Sequence, residues 1–411
     1  MKKLIAFTLA CALVLAMVGG CAAPSTPGTD TPADNANADA SSSGAGETIK
    51  IGLNYELSGD YAMYGLACNA GAEMALNEVN EAGGVNGKKL ELVKYDNKCD
   101  PAEAATLATK LMTVDKVVAE IGPALTGTFS SVSSVAENNK VPVITGSATG
   151  DNLIAEHNED GTVKSHKNYT FRICFNDSFQ GVTMANFAAN DLGAKKVAIY
   201  ADSSNDYAKG LEKSFVATFP GEIVAQEYYA AGDTDFNAVL TSLAGKEFDA
   251  LFIPGYFSEV GLIIKQARML GIDCPVIGAD GFESEKLVEL AGAENLNNVY
   301  YSSHYSSLLA DPKIDTFVKN YTEKYNESPN MFHAMGYDAA MFLVDAITRA
   351  MAQSGEATVT PDQIQAALIS TTEFSGVTGS FAIDPESHDT VKAIVVVELQ
   401  NGVAVSAKKI G

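Results

Sequence analysis

Two short stretches carry residue types that could do chemistry at a useful spacing, and neither completes its motif. Gly83-Gly84-Val85-Asn86-Gly87-Lys88-Lys89 has the glycines and lysines of a phosphate loop. Such a loop needs Gly, four residues, then Gly-Lys-Ser/Thr, so that backbone N–H groups and the lysine cradle phosphates and the hydroxyl meets magnesium. Here the residue five before Gly87 is Ala82, and Lys89 stands where the hydroxyl is required. The stretch reads as a helix stop and turn. Gly146-Ser147-Ala148-Thr149-Gly150 is not a nucleophile elbow, because its Ser directly follows the first Gly. The five histidines, His157, His166, His304, His333 and His388, form no H-E-x-x-H or other metal spacing. Only His157 and His166 share a polar loop. Acidic residues are plentiful without forming a recognisable pair. The expectation is no enzyme, no metal and no cofactor.

Charge and cysteine usage narrow the classes further. Lys plus Arg number 28 against 51 Asp plus Glu, a formal charge of −23, which repels nucleic acid. Six cysteines in 411 residues, with no C-x-x-C, are too sparse for a disulfide framework or a zinc ribbon. At about 150 residues per domain the length allows two or three domains.

The N-terminus carries an address. Lys2 and Lys3 precede an uncharged, mostly apolar run over residues 4–18, too short for a comfortable membrane span. The run ends in Val18-Gly19-Gly20-Cys21, which resembles a bacterial lipobox. That resemblance implies a signal peptide over 1–20, diacylglyceryl transfer to the Cys21 thiol and cleavage before it. Residues 21–46 are almost entirely small, polar or Pro, and cannot bury a core, so they are expected to be a disordered tether. No second run of 18 apolar residues follows, so the protein is expected to be anchored to a membrane rather than to span it.

From Glu47 short β-branched runs alternate with helical patterns. Strands are expected over 48–53, 90–95, 116–121 and 141–144. Between them come a helix with Leu66, Ala70 and Met74 on one face, a helix opened by Asp100-Pro101-Ala102-Glu103, and one over 130–138. Residues 151–168 break the rhythm as a polar surface loop. A second parallel set follows, with strands over 169–174, 197–200, 222–228, 250–253 and 276–278 and helices between them. The chain then turns helical over 314–325 and 333–351, and closes with 379–383 and a hairpin of 391–399 with 403–409. Two similar α/β halves and a tail that visits both imply two lobes and a cleft.

The ordered stretches Leu57-Ser58-Gly59-Asp60-Tyr61-Ala62-Met63-Tyr64-Gly65, Asn80-Glu81-Ala82-Gly83-Gly84-Val85-Asn86-Gly87, Tyr95-Asp96-Asn97-Lys98-Cys99-Asp100-Pro101, Pro254-Gly255-Tyr256-Phe257-Ser258-Glu259, Lys265-Gln266-Ala267-Arg268, Gly278-Ala279-Asp280-Gly281 and Gly336-Tyr337-Asp338-Ala339 resemble the type I periplasmic binding proteins. Within that family the match is to the leucine/isoleucine/valine-binding subgroup of branched-chain amino acid ABC transporters, and it covers the chain from Glu47 to Lys409. The resemblance implies an α/β fold of two doubly wound parallel-sheet lobes joined by a three-crossover hinge. Lobe 1 is expected over 47–173 plus 303–377, and lobe 2 over 174–302 plus 378–411. The implied function is a lipid-anchored receptor on the outer face of the cytoplasmic membrane. It would capture an amino acid, branched-chain by subgroup, and deliver it to ABC permease subunits as a monomer. The alternatives are a receptor for an aromatic acid, short amide or polar amino acid, or a ligand-sensing module.

In open parallel sheets ligands bind beyond the carboxyl ends of the strands. The resemblance places Tyr64 there as a cover for the ligand side chain, and the Ala148 backbone and Thr149 hydroxyl as holders of both ends of an amino acid. Backbone N–H groups of Gly122-Pro123-Ala124-Leu125-Thr126 suit a carboxylate, with the Thr126 hydroxyl as a further donor or simply a helix cap. From the second lobe Tyr207 and Tyr256 match family aromatics, and Asp280 matches the acid that meets the ligand α-ammonium. Relatives can pair a cysteine at the Cys99-like position with one in the loop after the third strand. Ala124-Leu125 stand in that loop here, and whether Cys99 pairs instead with Cys68 is left open. Cys174 and Cys274 are expected to be buried thiols.

Overall fold

The computed structural model of the protein describes residues 48–158 and 162–410. The expected signal peptide, Cys21 and tether lie outside the described residues.

The first sheet starts with β1 (Ile49–Tyr55), whose residues are buried on both faces, as a central parallel strand requires. The chain continues through α1 (Ala62–Glu81), β2 (Leu90–Asp96), α2 (Pro101–Lys110), β3 (Ala119–Ile121), α3 (Thr126–Asn139) and β4 (Val143–Thr145). Asp100 caps α2 by accepting from the Glu103 N–H at 2.8 Å, with Pro101 opening the helix. The expected loop over 151–168 carries a small hairpin, β5 (Ala155–His157) with β6 (Val163–His166), before β7 (Thr170–Arg172). Strand order is β2-β1-β3-β4-β7, all parallel.

The second sheet follows through α4 (Asp177–Asn190), β8 (Lys196–Asp202), α5 (Asp206–Thr218), β9 (Glu222–Tyr229), α6 (Asn237–Ala244), β10 (Ala250–Phe252), α7 (Phe257–Met269), β11 (Val276–Gly278), α8 (Glu285–Ala291) and β12 (Val299–Ser303). The chain then returns to the first lobe through α9 (Pro312–Tyr325), α10 (Met331–Ser354) and α11 (Pro361–Ile369). It ends in β13 (Phe374–Gly376), β14 (Gly379–Ile383), β15 (Thr390–Lys392), β16 (Ile394–Gln400) and β17 (Val403–Ile410). The sheet order is β17-β16-β12-β11-β10-β8-β9. Five of its strands are parallel, and the terminal hairpin adds β16 antiparallel to β12.

Two expectations are corrected. Residues 378–392, assigned from sequence to the second lobe, pair as β14 and β15 with β13, and Phe374 and Phe381 pack on Phe342 of α10. The last crossover therefore falls at Ala393, where the single run read over 391–399 is split between two sheets. Leu66, placed from sequence on one face of α1 with Ala70 and Met74, is 45% exposed, whereas Met74 is buried, so the three do not share one environment.

Close packing of α1 on α10 sets up one wall of the cleft. A Cβ on Gly71 would sit 1.9 Å from the His333 carbonyl oxygen, and one on Gly336 1.9 Å from that of Cys68. Only glycine permits this approach, which brings Tyr64 at the start of α1 beside Phe332 at the start of α10, with ring centroids 4.7 Å apart.

Candidate ligand-binding cleft

The ends of β1, β3 and β4 face those of β8, β10 and β11 across a small cavity of about 20 Å³. Six of the seven residues singled out from sequence line it: Tyr64, Thr126, Thr149, Tyr207, Tyr256 and Asp280. The seventh, Ala148, is buried but does not line the cavity. Its N–H goes to Thr145 Oγ1 at 3.1 Å and its carbonyl accepts from the Cys174 thiol.

Asp280 stands in the turn after β11 and is 3% exposed. Its Oδ1 accepts from Tyr207 Oη at 2.7 Å, and the same Oη accepts the Gly281 N–H at 2.9 Å. The Asp280 N–H donates to Gln180 Oε1 at 3.3 Å, an oxygen also held by Ser302 Oγ at 2.6 Å. Burial and the neighbouring Asp280 push the Tyr207 phenol well above its ordinary range, so it stays a donor. Tyr256 stacks on Tyr207 at 4.9 Å with the rings 2° from parallel.

Tyr64 bonds across the cleft. Its Oη donates to the Gly281 carbonyl at 2.5 Å and accepts the Phe257 N–H at 3.3 Å. Its ring packs edge-on to Phe257 and tilted against Tyr256. Burial raises its pKa far out of reach.

The opposite wall is laced by side chains. Ser147 Oγ donates to the Ala124 carbonyl at 2.9 Å, and Thr145 Oγ1 to that of Pro123 at 2.6 Å. Thr126 is the first residue of α3, whose cap position is Leu125; its Oγ1 accepts the Gly150 N–H at 3.2 Å. A correction concerns the backbone N–H groups offered to a ligand carboxylate. Glu56 already takes those of Ala124 and Leu125, at 3.0 and 3.3 Å, together with the Thr128 hydroxyl. Burial drives the Glu56 pKa up against these bonds. The side chain lies at 0% exposure, so this carboxyl fixes the loop from behind.

The pairing of Cys68 with Cys99 that the sequence left open is not formed; both are free thiols. Cys68 points inward from α1 to Ser147 Oγ at 3.7 Å, while Cys99, held in a left-handed turn at φ 60°, donates to the Ser58 carbonyl at 3.4 Å.

Sequence reasoning missed Ser147, Gly281 and Phe332 as lining residues and offered Ala124 and Leu125 only through their backbone N–H groups. Ser147 and Gly281 adjoin residues that were found. Phe332 had no signal, since it arrives from a segment far along the chain. The cavity thus offers one carboxylate, several hydroxyls and an aromatic wall, which suits a small molecule with an ammonium group and an apolar side chain. Among the described residues no group of three His, Cys, Asp or Glu is placed to hold a metal, and no helix is long and apolar enough to cross a membrane.

Residues 48–404 match the family model described as periplasmic binding protein. A relative from Pseudomonas aeruginosa, the leucine-, isoleucine-, valine-, threonine- and alanine-binding protein, is 30% identical over 348 residues, 84% of this chain and 88% of the relative. Two solved structures are similar. One is the branched-chain amino acid transporter substrate binding protein LivJ of Streptococcus pneumoniae in complex with isoleucine (42% identity, TM-score 0.81, 89% of this chain and 99% of that one). The other is the leucine binding protein LivK of Thermotoga maritima (32% identity, TM-score 0.78, 89% of this chain and 98% of that one).

Proposed function

The chain belongs to the periplasmic binding protein family, whose members bind solutes and are not enzymes, and from that premise we propose that it captures a branched-chain amino acid for an ABC importer. The carrying observation is Asp280, buried with one oxygen held by Tyr207, beside the aromatic surface of Tyr64, Tyr256 and Phe332. An α-ammonium meets the carboxylate. Leucine, isoleucine or valine then lays its side chain against the rings, and the Thr126 and Thr149 hydroxyls take the ligand carboxylate. An aromatic acid without an ammonium would bring a second negative group to Asp280 and leave it unpaired. The test is native mass spectrometry of ligand retained by purified protein, followed by calorimetry with leucine, isoleucine, valine and benzoate. Binding of benzoate alone would overturn the reading.

The two lobes, 47–173 with 303–393 and 174–302 with the remainder, close over the ligand, and Tyr64 latches them. Tyr64→Phe removes the hydrogen bond to Gly281 and keeps the ring. It is expected to weaken leucine binding by about 0.5–1.5 kcal/mol, about two- to tenfold. Small-angle scattering should show a smaller radius with ligand, and the variant should need more leucine to reach it. An identical titration for both proteins would remove the latch.

The protein is held on the outer face of the membrane through Cys21 and hands its ligand to permease subunits. Cys21→Ser should move it from the membrane fraction to the soluble one or block its processing. Unchanged membrane retention would contradict the anchor.

A further inference from the structure

Asp280 has a second neighbour. His304 follows β12 at the start of the connector back to the first lobe, and it is 2% exposed. Its Nε2 lies 3.4 Å from Asp280 Oδ2, the oxygen that Tyr207 does not hold. Neither ring nitrogen has a hydrogen-bond partner of good geometry. Its ring stacks on Phe175, with centroids 3.5 Å apart and planes 18° from parallel. Phe175 sits in the connector between β7 and α4, the other strand-to-helix crossover. The His304 backbone N–H meets Met331 Sδ at 3.2 Å, directly before Phe332 of the cavity wall. The imidazole therefore stands where two crossovers, the aromatic wall and the acidic group of the cleft converge.

We propose that His304 is a positioning residue for Asp280: its Nε2–H, 3.4 Å from Oδ2 but outside bonding geometry here, turns onto that oxygen and aims the carboxylate into the cleft when the two crossovers adopt the ligand-closed arrangement. The chemistry favours a neutral donor. Burial lowers the His304 pKa to about 4, with Lys392 and Arg172 acting in the same direction and Asp280 opposing them. At neutral pH the ring supplies a hydrogen bond without neutralising Asp280, whose charge stays available to a cationic group on the ligand. When the lobes open, the crossovers separate or rotate, Phe175 and His304 move with them, and Oδ2 loses its donor. Ligand affinity and hinge geometry are then linked through one side chain that does not itself touch the ligand.

This rests on the reading that Asp280 meets an ammonium group, and the test separates the two. In the full chain carrying ¹⁵N-histidine, the ring nitrogens of His304 should report the neutral Nε2–H form at pH 7, and the Nε2 signal should shift in Asp280→Asn. This measurement needs no ligand. Calorimetry with leucine then compares His304→Phe, which keeps the stack on Phe175 and loses the donor, with His304→Gln, which keeps an N–H donor and loses the stack. Positioning predicts that Phe lowers affinity tenfold or more while Gln stays within about threefold of the unmodified protein. A purely structural role predicts the reverse order, and that order, or an Nδ1–H ring indifferent to Asp280→Asn, overturns the proposal. If the unmodified protein binds no branched-chain amino acid, the functional reading falls, and the ring spectrum still decides whether His304 holds Asp280.

Discussion

Asp280→Ala should all but abolish amino-acid binding while the protein stays folded. An ammonium moved from water into a closed cavity loses its hydration and needs an opposite charge in return. Removing one side of a buried, hydrogen-bonded charge pair costs about 3–5 kcal/mol, or roughly two to three powers of ten or more in affinity. The side chain sits in a turn after β11 and outside the apolar core, so its loss should leave the thermal unfolding of the ligand-free protein little changed. Asp280→Asn is the sharper variant. Its amide oxygen can still accept from Tyr207, as Oδ1 does at 2.7 Å. Shape and hydrogen bond are kept and only the charge is lost, so weak binding by the Asn variant assigns the effect to electrostatics. Calorimetry of leucine, isoleucine and valine against both variants is the measurement. A change of less than threefold would mean that Asp280 is a turn residue and that the ligand carries no ammonium.

The positions after strands were legible because they follow from a local rule. A β-branched run fixes the strand and the strand's carboxyl end fixes the edge, while the choice of Thr149 and Asp280 at that edge came from the resemblance to the type I periplasmic binding proteins. What was not legible depends on residues that meet only through the fold. Nothing near Glu56 announces that it will take the N–H groups of Ala124 and Leu125, which lie in a loop after another strand. Phe332 was lost for a related reason. α10 is opened by Asn330, and the reciprocal bond comes from His333, with Nδ1 accepting the Asn330 N–H at 3.1 Å. A capping box is normally recognised by Glu or Gln at that place, so the helix was read as starting at His333, two residues late. The split of 391–399 has a tertiary cause as well. Lys392 is buried, with Nζ reaching Thr378 Oγ1 at 2.5 Å and the Ile173 carbonyl at 3.3 Å. These contacts hold β15 with β14 and leave Ala393 as the join to β16. A strand pattern records alternation along the chain and carries no mark of which sheet takes each half.

Arg172 should prove the most costly single residue of the hinge region to remove. Its guanidinium is fully buried at the end of β7. Nε donates to Asp389 Oδ1 at 2.6 Å, and Nη2 completes a forked pair with the other oxygen. Nη1 reaches the carbonyls of Thr149 and Gly150 at 3.0 and 2.9 Å. One side chain therefore joins the segment between β14 and β15 to the loop that carries Thr149 into the cleft. Arg172→Met fills much of the same volume but strands a carboxylate and two carbonyl oxygens. The expected loss is about 3–5 kcal/mol in denaturant unfolding, with weaker leucine binding as the loop slackens. The double variant Arg172→Met, Asp389→Leu separates the causes. Replacing both members of a buried pair by apolar groups is often close to neutral, so it should recover the part of the loss that came from the stranded carboxylate. The two carbonyls would still lack donors, each costing about 1–3 kcal/mol, so recovery should be incomplete in stability and smaller still in affinity. A double variant as unstable as Arg172→Met would place the cost in the loop carbonyls, and a single variant within about 1 kcal/mol of the unmodified protein would show that water replaces the guanidinium.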